Sequence, residues 1–391
     1  MLGTLDPTHD EPAAGWPEVL PDMTTAISIP SHLLPRDGRF GSGPSRVSQD
    51  ALSALSERGT AYMGTSHRKP TVKQVVSRIR SGLSDLYALP EGHEVVLGVG
   101  GATAFWDAAA FGLIEHRSAH YVCGEFSAKF AAVVTGAPHL AEPVVISATP
   151  PGAPDPEPTP GVDVAAFIHN ETSTGVRAEW ARFGDELIVV DGTSAAGAVP
   201  IDPSTVDAYY FSPQKAFGSE GGLWLALMSP SAIDRVGSIA AWQRWTPPFL
   251  SLQTAIENSL LDQTYNTPAL ATLYLLEARI SELLAADGLS GAARVAQASS
   301  DHLYRWAEAS DVATPFVTDD RLRSTTVVTI DFIDTVDANV LSEHLRSNGI
   351  VDTESYRKLG RNQLRIATFP TIPTSDVEAL TGCIDYVIAA M

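Results

Sequence analysis

The feature that most constrains the fold of this 391-residue chain is a series of short apolar runs separated by segments of helical period. Strands that are apolar on both faces and alternate with helices are typical of a largely parallel sheet covered by helices on both sides. We therefore expect an α/β large domain with a mostly parallel seven-stranded sheet. The seven runs are Val95–Val99, His120–Cys123, Val144–Ser147, Val164–Ile168, Leu187–Val190, Ala208–Phe211 and Leu223–Met228.

A second pattern follows a long helical stretch at Ala269–Ala286. It contains two runs that read as strands and two that read as helices: Thr325–Phe332, Leu364–Phe369, Ala338–Ser347 and Ser375–Ala390. Strand and helix in this proportion indicate a small α+β domain.

Three segments are therefore expected along the chain. Residues 1–35, rich in Pro, Asp and Thr, are predicted to be a poorly ordered extension. Residues 36–285 should form the large domain, and residues 286–391 the small C-terminal domain. Ligands of such proteins bind at the carboxyl ends of the strands and in the cleft between domains, so the functional residues should lie there.

The composition excludes several classes of partner. A formal net charge of −20 repels nucleic acid and anionic membrane surfaces. No apolar run approaches the roughly 20 residues needed to span a bilayer. The N-terminal residues carry acids and lack the apolar segment of a secretory signal, so we expect a cytoplasmic protein.

Cysteine and histidine usage argues against a disulfide scaffold and a metal site. The chain has two cysteines, Cys123 and Cys383, and ten scattered histidines without a ligand spacing such as HExxH. No metal is predicted.

A glycine turn follows the first apolar run. Gly100 and Gly101 allow a close approach of the backbone to a ligand, and the Ala102 and Thr103 amides open a helix whose N-terminus can bind an anion. Taken alone, such glycines are more often ordinary turn residues. The spacing matches neither GxGxxG nor a P-loop, which disfavours a dinucleotide or NTP site.

An aspartate, Asp191, ends the buried run Leu187–Val190. Such a residue either caps the following helix or turn, or acts as a counter-charge for a cationic ring nitrogen, because an unpaired buried carboxylate is costly.

A lysine, Lys215, lies just beyond the run Ala208–Phe211. Most such lysines extend to solvent, but a desolvated amine is what a Schiff-base nucleophile requires. An anion cradle, a carboxylate and a lysine at the strand ends of one sheet together match what pyridoxal phosphate needs from a protein.

At this point the sequence resembles the phosphoserine aminotransferases, class V pyridoxal-phosphate enzymes of fold type I, in their actinobacterial form. The resemblance runs from about Arg36 to the C-terminus. It is carried by eight motifs, namely GRFGSGPS (38–45), GTSHR (64–68), GGATAFWDAAAFG (100–112), GEFSAKF (124–130), HNETSTGV (169–176), FSPQKAFGSEGGLW (211–224), DQTYNTPAL (262–270) and GIVDTESYRKLGRNQLRIATFP (349–370).

The resemblance implies a role for each cofactor-site residue. Lys215 would hold pyridoxal 5′-phosphate as a Schiff base, and Asp191 would pair with the ring nitrogen. The remaining cofactor contacts would come from three groups of residues: Ala102, Thr103 and Gln214 at the phosphate, Thr172 and Phe126 at the ring, and Asn266 and Thr267 at the phosphate of the neighbouring subunit of a homodimer.

The resemblance also implies cationic residues for the substrate. His67 and Arg68, donated across the dimer, and Arg357 and Arg365 from the small domain would bind phosphate and carboxylate groups. Tyr356 stands where many relatives have histidine, and two extra residues lie between Arg357 and Arg365. Arg361 is therefore an alternative within this loop.

The expected reaction is transfer of the amino group between glutamate and 3-phosphohydroxypyruvate, giving phosphoserine and 2-oxoglutarate for serine synthesis. The phospho-hydroxy-threonine analogue on the route to vitamin B6 is a second expected substrate. The alternatives are an alanine–glyoxylate type aminotransferase, a cysteine desulfurase or selenocysteine lyase on the same fold, and a non-catalytic cofactor-binding regulator. A desulfurase needs a reactive cysteine, whereas Cys123 and Cys383 are expected to pack in the interior.

Overall fold

The computed structural model describes residues 27–391. The large domain is built on a seven-stranded sheet with the order β1-β9-β8-β7-β4-β2-β3. Its strands are β1 (Glu94–Val99), β2 (Ser118–Val122), β3 (Val144–Ser147), β4 (Val164–Ile168), β7 (Leu187–Asp191), β8 (Ala208–Phe211) and β9 (Leu223–Met228). The seven predicted runs are thus confirmed as strands of one sheet. A separate two-stranded ribbon consists of β5 (Asn170–Glu171) and β6 (Val176–Arg177).

Strand direction explains why functional residues meet at one edge. β9 pairs antiparallel with both β1 and β8, whereas the other neighbours in the sheet are parallel. Six strands therefore run in one direction, and their carboxyl ends share an edge, where α/β proteins bind ligands.

Helices cover both faces of this sheet. They are α1 (Gln49–Arg58), α2 (Pro70–Leu86), α3 (Gly101–Gly112), α4 (Glu125–Thr135), α5 (Pro230–Ala241), α6 (Leu252–Leu260) and α7 (Leu270–Ala285). One core joins α2 and α7 to residues such as Ile188 and Tyr209, and the other joins α3, α4 and α5 to Val189 and Tyr210. Adjacent strand residues enter different cores because side chains alternate between the two faces.

The C-terminal part has a core of its own. It comprises α8 (Gly288–Glu308), β10 (Ala313–Pro315), β11 (Val327–Phe332), α9 (Ala338–Ser347), β12 (Gln363–Ala367) and α10 (Thr374–Ala390). The three strands form an antiparallel sheet. The α+β pattern expected here is observed, with α8 and β10 in addition to the predicted elements. A domain boundary between residues 285 and 286 remains a proposal.

The segment that precedes the large domain differs from the expectation. Residues 1–26, for which a poorly ordered extension was predicted, lie outside the described residues. Residues 27–35 are not a poorly ordered lead-in, because Ile29 is buried in the small-domain core and its amide donates to Asn348 Oδ1 at 2.9 Å. Phe40 is buried in the same core, so the chain after residue 36 also begins on the small domain. Within residues 27–391, no helix has the length and apolar character to cross a membrane.

Candidate active site

A cavity of about 480 Å³ lies at the carboxyl edge of the sheet, between the large domain and the loop before β12. The predicted residues that line it are Ala102, Thr103, Phe126, Thr172, Asp191, Gln214, Lys215 and Arg365. Most of the predicted cofactor residues are thus brought together, although they are spread over more than 100 positions of the sequence, from Ala102 to Lys215. Their roles remain predictions.

Lys215 follows β8 and is buried, with 7 % of its surface exposed. Its Nζ donates to Thr172 Oγ1 at 2.7 Å. Burial lowers the pKa of Lys215 to about 8, against the opposing effect of the Asp191 charge. A substantial fraction of this amine is therefore neutral near physiological pH, as a nucleophile requires. Gly43 crosses close to it, since a Cβ at that position would lie 2.9 Å from Lys215 Cε.

Asp191 is the last residue of β7 and is also buried. Its Oδ1 accepts a hydrogen bond from the Thr193 amide at 2.8 Å. Burial raises the pKa of Asp191, and hydrogen bonds from Thr193, the charge of Lys215 and a hydrogen bond from Tyr210 oppose that shift. A buried carboxylate held in this way suits a cationic partner in the cavity.

The N-terminus of α3 points its free amides at the same cavity. Gly100 and Gly101 have φ angles of 112° and 73°, which favour glycine, and no side chain caps the helix. Ala102 and Thr103 therefore present the positive end of the helix dipole to a ligand. Gln214 lines the cavity from the segment after β8, and its Oε1 is buried without a hydrogen-bond partner within the described residues.

Phe126 lies opposite Lys215, whose Nζ is 5.3 Å from the centroid of the phenyl ring. The aromatic ring is fixed through its backbone, because the Phe126 amide donates to the buried carboxylate of Glu171 at 3.1 Å. Thr172 follows that glutamate directly. A flat ligand above Lys215 would therefore meet an aromatic face and a hydroxyl from adjacent elements.

Arg365 extends from β12 into the cavity. Its Nη1 donates to the Thr172 carbonyl at 3.2 Å, and its guanidinium lies 5.3 Å from the ring centroid of Tyr356. The Nε atom is buried without a partner in the described part of the chain. Burial lowers the pKa of Arg365, against the charges of Tyr356, Glu354 and Glu171. A partly unsatisfied, desolvated arginine is suited to binding an anionic substrate group.

The other two arginines of this loop lie outside the cavity. Arg361 forms hydrogen bonds with both carboxylate oxygens of Asp331, and its guanidinium lies 4.4 Å from the Phe316 ring centroid. The alternative role considered for Arg361 therefore lacks support. Arg357 is exposed on the short 3₁₀ helix Arg357–Leu359 and does not line the cavity within one chain.

The four remaining predicted residues are His67, Arg68, Asn266 and Thr267; together with Tyr265, which Arg68 contacts, they are here called the His67 cluster. His67 Nδ1 lies 3.3 Å from Thr267 Oγ1, and Arg68 Nη2 donates to the Tyr265 carbonyl at 3.5 Å. Burial and the adjacent Arg68 charge lower the pKa of His67. None of these residues lines the cavity of their own chain, which is the arrangement expected if they serve a partner's site.

Comparison with known proteins identifies the family of this chain. Residues 40–353 match the family model "Aminotransferase class-V". The chain belongs to the class-V aminotransferase family. It is 55 % identical over 369 residues to a putative phosphoserine aminotransferase of Mycolicibacterium paratuberculosis, covering 94 % of this chain and 99 % of the relative. Identity is also 55 % over 372 residues with the phosphoserine aminotransferase of Rhodococcus jostii, covering 94 % and 100 %.

Solved structures share the fold at lower identity. The phosphoserine aminotransferase of Cytophaga hutchinsonii superposes with a TM-score of 0.82 at 23 % identity, covering 89 % of this chain and 99 % of that one. The enzyme of Bacillus circulans subsp. alkalophilus gives a TM-score of 0.81 at 18 % identity, covering 91 % and 99 %. The predicted fold-type I architecture is confirmed.

The cavity of this class-V aminotransferase fits pyridoxal phosphate. Besides the uncapped helix α3, buried polar atoms of Ser42, Thr193 and Arg365 line it without hydrogen-bond partners within residues 27–391. Unsatisfied buried polar atoms are costly unless a ligand or water pairs with them. Lys215 and Asp191 supply an amine for an aldehyde and an anion for a ring nitrogen, and α3 supplies amides for a phosphate.

Several lining residues of this class-V aminotransferase had no predicted role. Ser42, Gly43 and Pro44 come from the N-terminal segment, and Trp106 and Thr193 come from α3 and the turn after β7. The motif GRFGSGPS contained a signal for the first three residues. Its Gly-Pro turn does not connect a predicted strand to a predicted helix. Trp106 carried no signal, since one aromatic residue on an apolar helix reads as core.

Proposed function

We propose that this chain is a pyridoxal-phosphate-dependent phosphoserine aminotransferase. It transfers the amino group of glutamate to 3-phosphohydroxypyruvate, giving O-phosphoserine and 2-oxoglutarate, and it also accepts the phospho-hydroxy-threonine analogue. The proposal rests chiefly on one observation, which is that Lys215 and Asp191 line the same cavity as the N-terminus of α3. The name shared by relatives of 55 % identity gives the substrate class.

Three parts of the cavity have a task in this reaction: Lys215, Asp191 and the N-terminus of α3. When bound, the cofactor supplies an aldehyde for the substrate amine and a conjugated ring that accepts an electron pair. Lys215 Nζ takes the proton from the α-carbon of the amino-acid substrate, as a neutral amine can. The Asp191 carboxylate would hold a protonated ring nitrogen, and the α3 amides would hold the phosphate.

The substrate requires cations. Glutamate and phosphoserine each carry an anionic side chain as well as an α-carboxylate, and Arg365 is the cavity's own arginine. A bidentate guanidinium can bind either a carboxylate or a phosphate. The second anionic group needs further cations, which Arg357 and the partner subunit's copies of His67 and Arg68 would provide.

A homodimer with shared sites is part of this proposal. Aromatic side chains are exposed near both places: Phe249 is 49 % exposed and Tyr265, in the His67 cluster, is 47 % exposed. A Cβ at Gly100 would lie 3.7 Å from Phe249 Cζ, so Phe249 lies near the N-terminus of α3. Exposed aromatic groups are enriched at protein interfaces. Asn266 and Thr267 would then contact the cofactor phosphate of the partner.

The substrates also suggest a location. Glutamate and a phosphorylated 2-oxo acid are metabolites of the cell interior, and we propose that the enzyme acts in the cytoplasm.

The environments of the Cys123 and Cys383 thiols disfavour a cysteine desulfurase. Burial raises the pKa of Cys123 and Cys383, and neither thiol lines the cavity. A thiol that stays protonated and distant from the cofactor is a poor nucleophile. An alanine–glyoxylate aminotransferase has less need of the cations beyond Arg365.

A substrate panel tests the proposal. Purified protein with added pyridoxal phosphate is assayed for 2-oxoglutarate formation from glutamate with 3-phosphohydroxypyruvate, glyoxylate or pyruvate as acceptor, and for sulfide release from cysteine. We expect turnover with 3-phosphohydroxypyruvate at least about a hundredfold above glyoxylate, as two charge-assisted contacts require. Preference for glyoxylate, or release of sulfide, would refute the assignment.

A further inference from the structure

Trp106 and Tyr210 form a buried hydrogen bond beneath the proposed cofactor site. The Trp106 indole nitrogen donates to the Tyr210 hydroxyl oxygen at 2.9 Å, and the two side chains are 4 % and 0 % exposed. An indole N–H is a donor only. The tyrosine oxygen must therefore be the acceptor, and its own proton is free to point to another group.

That other group is Asp191. Asp191 and Tyr210 are register partners on the parallel strands β7 and β8. The residues two positions earlier, Val189 and Ala208, belong to the core on the α3 side, so Asp191 and Tyr210 face that side as well. Both line a small cavity there, and the tyrosine hydroxyl lies close enough to the carboxylate for each group to shift the pKa of the other.

Neighbouring rings fix the phenol in this position. Phe105 stacks on the Tyr210 ring with a centroid distance of 4.3 Å and an interplanar angle of 21°. Phe130 meets the same ring edge-on at 6.3 Å. These contacts hold the ring in place, and the Trp106 indole N–H occupies one lone pair of the phenol oxygen. The hydroxyl proton of Tyr210 is therefore left to be donated to the Asp191 carboxylate.

We propose that Tyr210 is a positioning residue that donates a hydrogen bond to Asp191, and that Trp106 sets the direction of that bond. This inference rests on the proposed function, in which Asp191 holds the cofactor's ring nitrogen. A donor behind the carboxylate, together with the Thr193 amide, keeps it anionic and correctly oriented. Removing the donor moves the shared proton from the ring nitrogen toward Asp191 and weakens cofactor binding.

The chain offers a matched control on the same strand. Tyr209 is also fully buried, but it faces the opposite side of the sheet, where its hydroxyl bonds to His169 Nδ1 at 3.0 Å. Tyr209→Phe and Tyr210→Phe remove the same atom from neighbouring buried rings. A difference between these two variants in cofactor properties therefore reports the Asp191 contact and not a general loss of stability.

Two measurements test the inference: the dissociation constant of pyridoxal phosphate from each protein, and the NMR chemical shift of the bound cofactor's isotope-labelled ring nitrogen. We expect Tyr210→Phe to raise the dissociation constant about tenfold and to move the ring nitrogen toward its neutral shift, as loss of a bond to a charged group should. Tyr209→Phe should leave both near wild type. Trp106→Phe should have a smaller effect, about threefold, and should add nothing in the Tyr210→Phe background.

The outcomes separate this inference from the function on which it rests. Wild-type protein that binds the cofactor, an Asp191→Ala variant that binds it poorly and a Tyr210→Phe variant identical to Tyr209→Phe would overturn the inference alone. Failure of the wild type to bind pyridoxal phosphate would overturn both. Tyr210→Phe leaves the buried Trp106 indole N–H without an acceptor, which lowers the stability of the fold. The double variant Trp106→Phe/Tyr210→Phe removes that N–H as well, so the comparison can be made in a protein without the unpaired donor.

Discussion

Two regions of this molecule bear on its proposed chemistry, and they differ in how complete they are within one chain. The cavity around Lys215 and Asp191 is lined by strand ends and the N-terminus of α3, and both of these residues are buried. The His67 cluster lies outside that cavity, and Arg68 and Tyr265 are exposed. Under the proposed function, one chain supplies most of the cofactor site, whereas Asn266, Thr267 and the further cations for the substrate would come from the partner subunit.

The largest expected effect comes from the centre of the cavity. Lys215→Ala should abolish the absorbance of the lysine-bound cofactor and reduce transamination by roughly a thousandfold or more, because Lys215 is the only lysine among residues 27–391 that lines the cavity. The assay is the glutamate and 3-phosphohydroxypyruvate reaction, with the spectrum recorded before and after borohydride reduction. Lys73→Ala on α2 is the control. A yellow, active Lys215→Ala protein would contradict the assignment.

A complementation experiment tests whether the two regions meet between subunits. Lys215→Ala and Arg68→Ala proteins are each expected to be nearly inactive, since one lacks the amine and the other lacks a cation for its partner. Mixed dimers contain one site with both residues intact, so an equal mixture after subunit exchange should recover about a quarter of wild-type activity.

The same mixture also has a clear negative outcome. If Arg68 acted within its own chain, every site of a mixed dimer would lack either the amine or the arginine, and no activity would return. Sedimentation of the mixture shows whether dimers formed.

A substitution of Arg365 tests the substrate site from within the cavity. Arg365→Ala should lower kcat/KM for both glutamate and phosphoserine about a hundredfold, as loss of a buried charge-assisted contact does, while the cofactor dissociation constant stays near wild type. Arg361→Ala is the matched control in the same loop, because Asp331 already engages that guanidinium. We expect it to change kcat/KM by less than about threefold. An unchanged KM for phosphoserine in Arg365→Ala would remove Arg365 from the substrate site.

A pH dependence distinguishes the buried amine from an exposed one. The lowered pKa of Lys215, about 8, means that its neutral form predominates above that pH and is lost as the pH falls below it. The rate at which cofactor-free protein captures pyridoxal phosphate should therefore rise between about pH 7 and pH 9 and then level off. A rate that keeps rising toward pH 10 would indicate a lysine with an ordinary pKa.

Local sequence patterns were sufficient to place Asp191 and Lys215 in the cavity but insufficient to choose its arginine. Asp191 directly follows one apolar run and Lys215 lies four residues beyond another, and strand ends of one sheet share an edge. Arg361 and Arg365 could not be separated from the sequence. The difference is tertiary, because Arg365 lies within β12 opposite Thr329, while Arg361 precedes the strand and is bound by Asp331.

Long-range contacts explain the error at the N-terminus. The expectation of little structure came from the Pro-, Asp- and Thr-rich composition of residues 1–35 taken together, although residues 27–35 (ISIPSHLLP) contain four aliphatic residues. The partners that order them are distant, since the Ile29 amide bonds to Asn348, 319 positions away. A pattern read along the chain does not contain that contact.

The smallest expected effect concerns Phe126, an aromatic residue that lines the cavity. Its ring faces Lys215 on one side and lies 5.9 Å from the Tyr356 ring on the other. Phe126→Leu keeps most of the apolar contact but removes the aromatic face, so the cofactor dissociation constant should rise about three- to tenfold. Phe126→Trp, which enlarges the aromatic face, should equal or exceed wild-type affinity. Equal affinities for leucine, phenylalanine and tryptophan at this position would mean that the ring only fills space, and that the cofactor is held by Lys215, Asp191 and α3 alone.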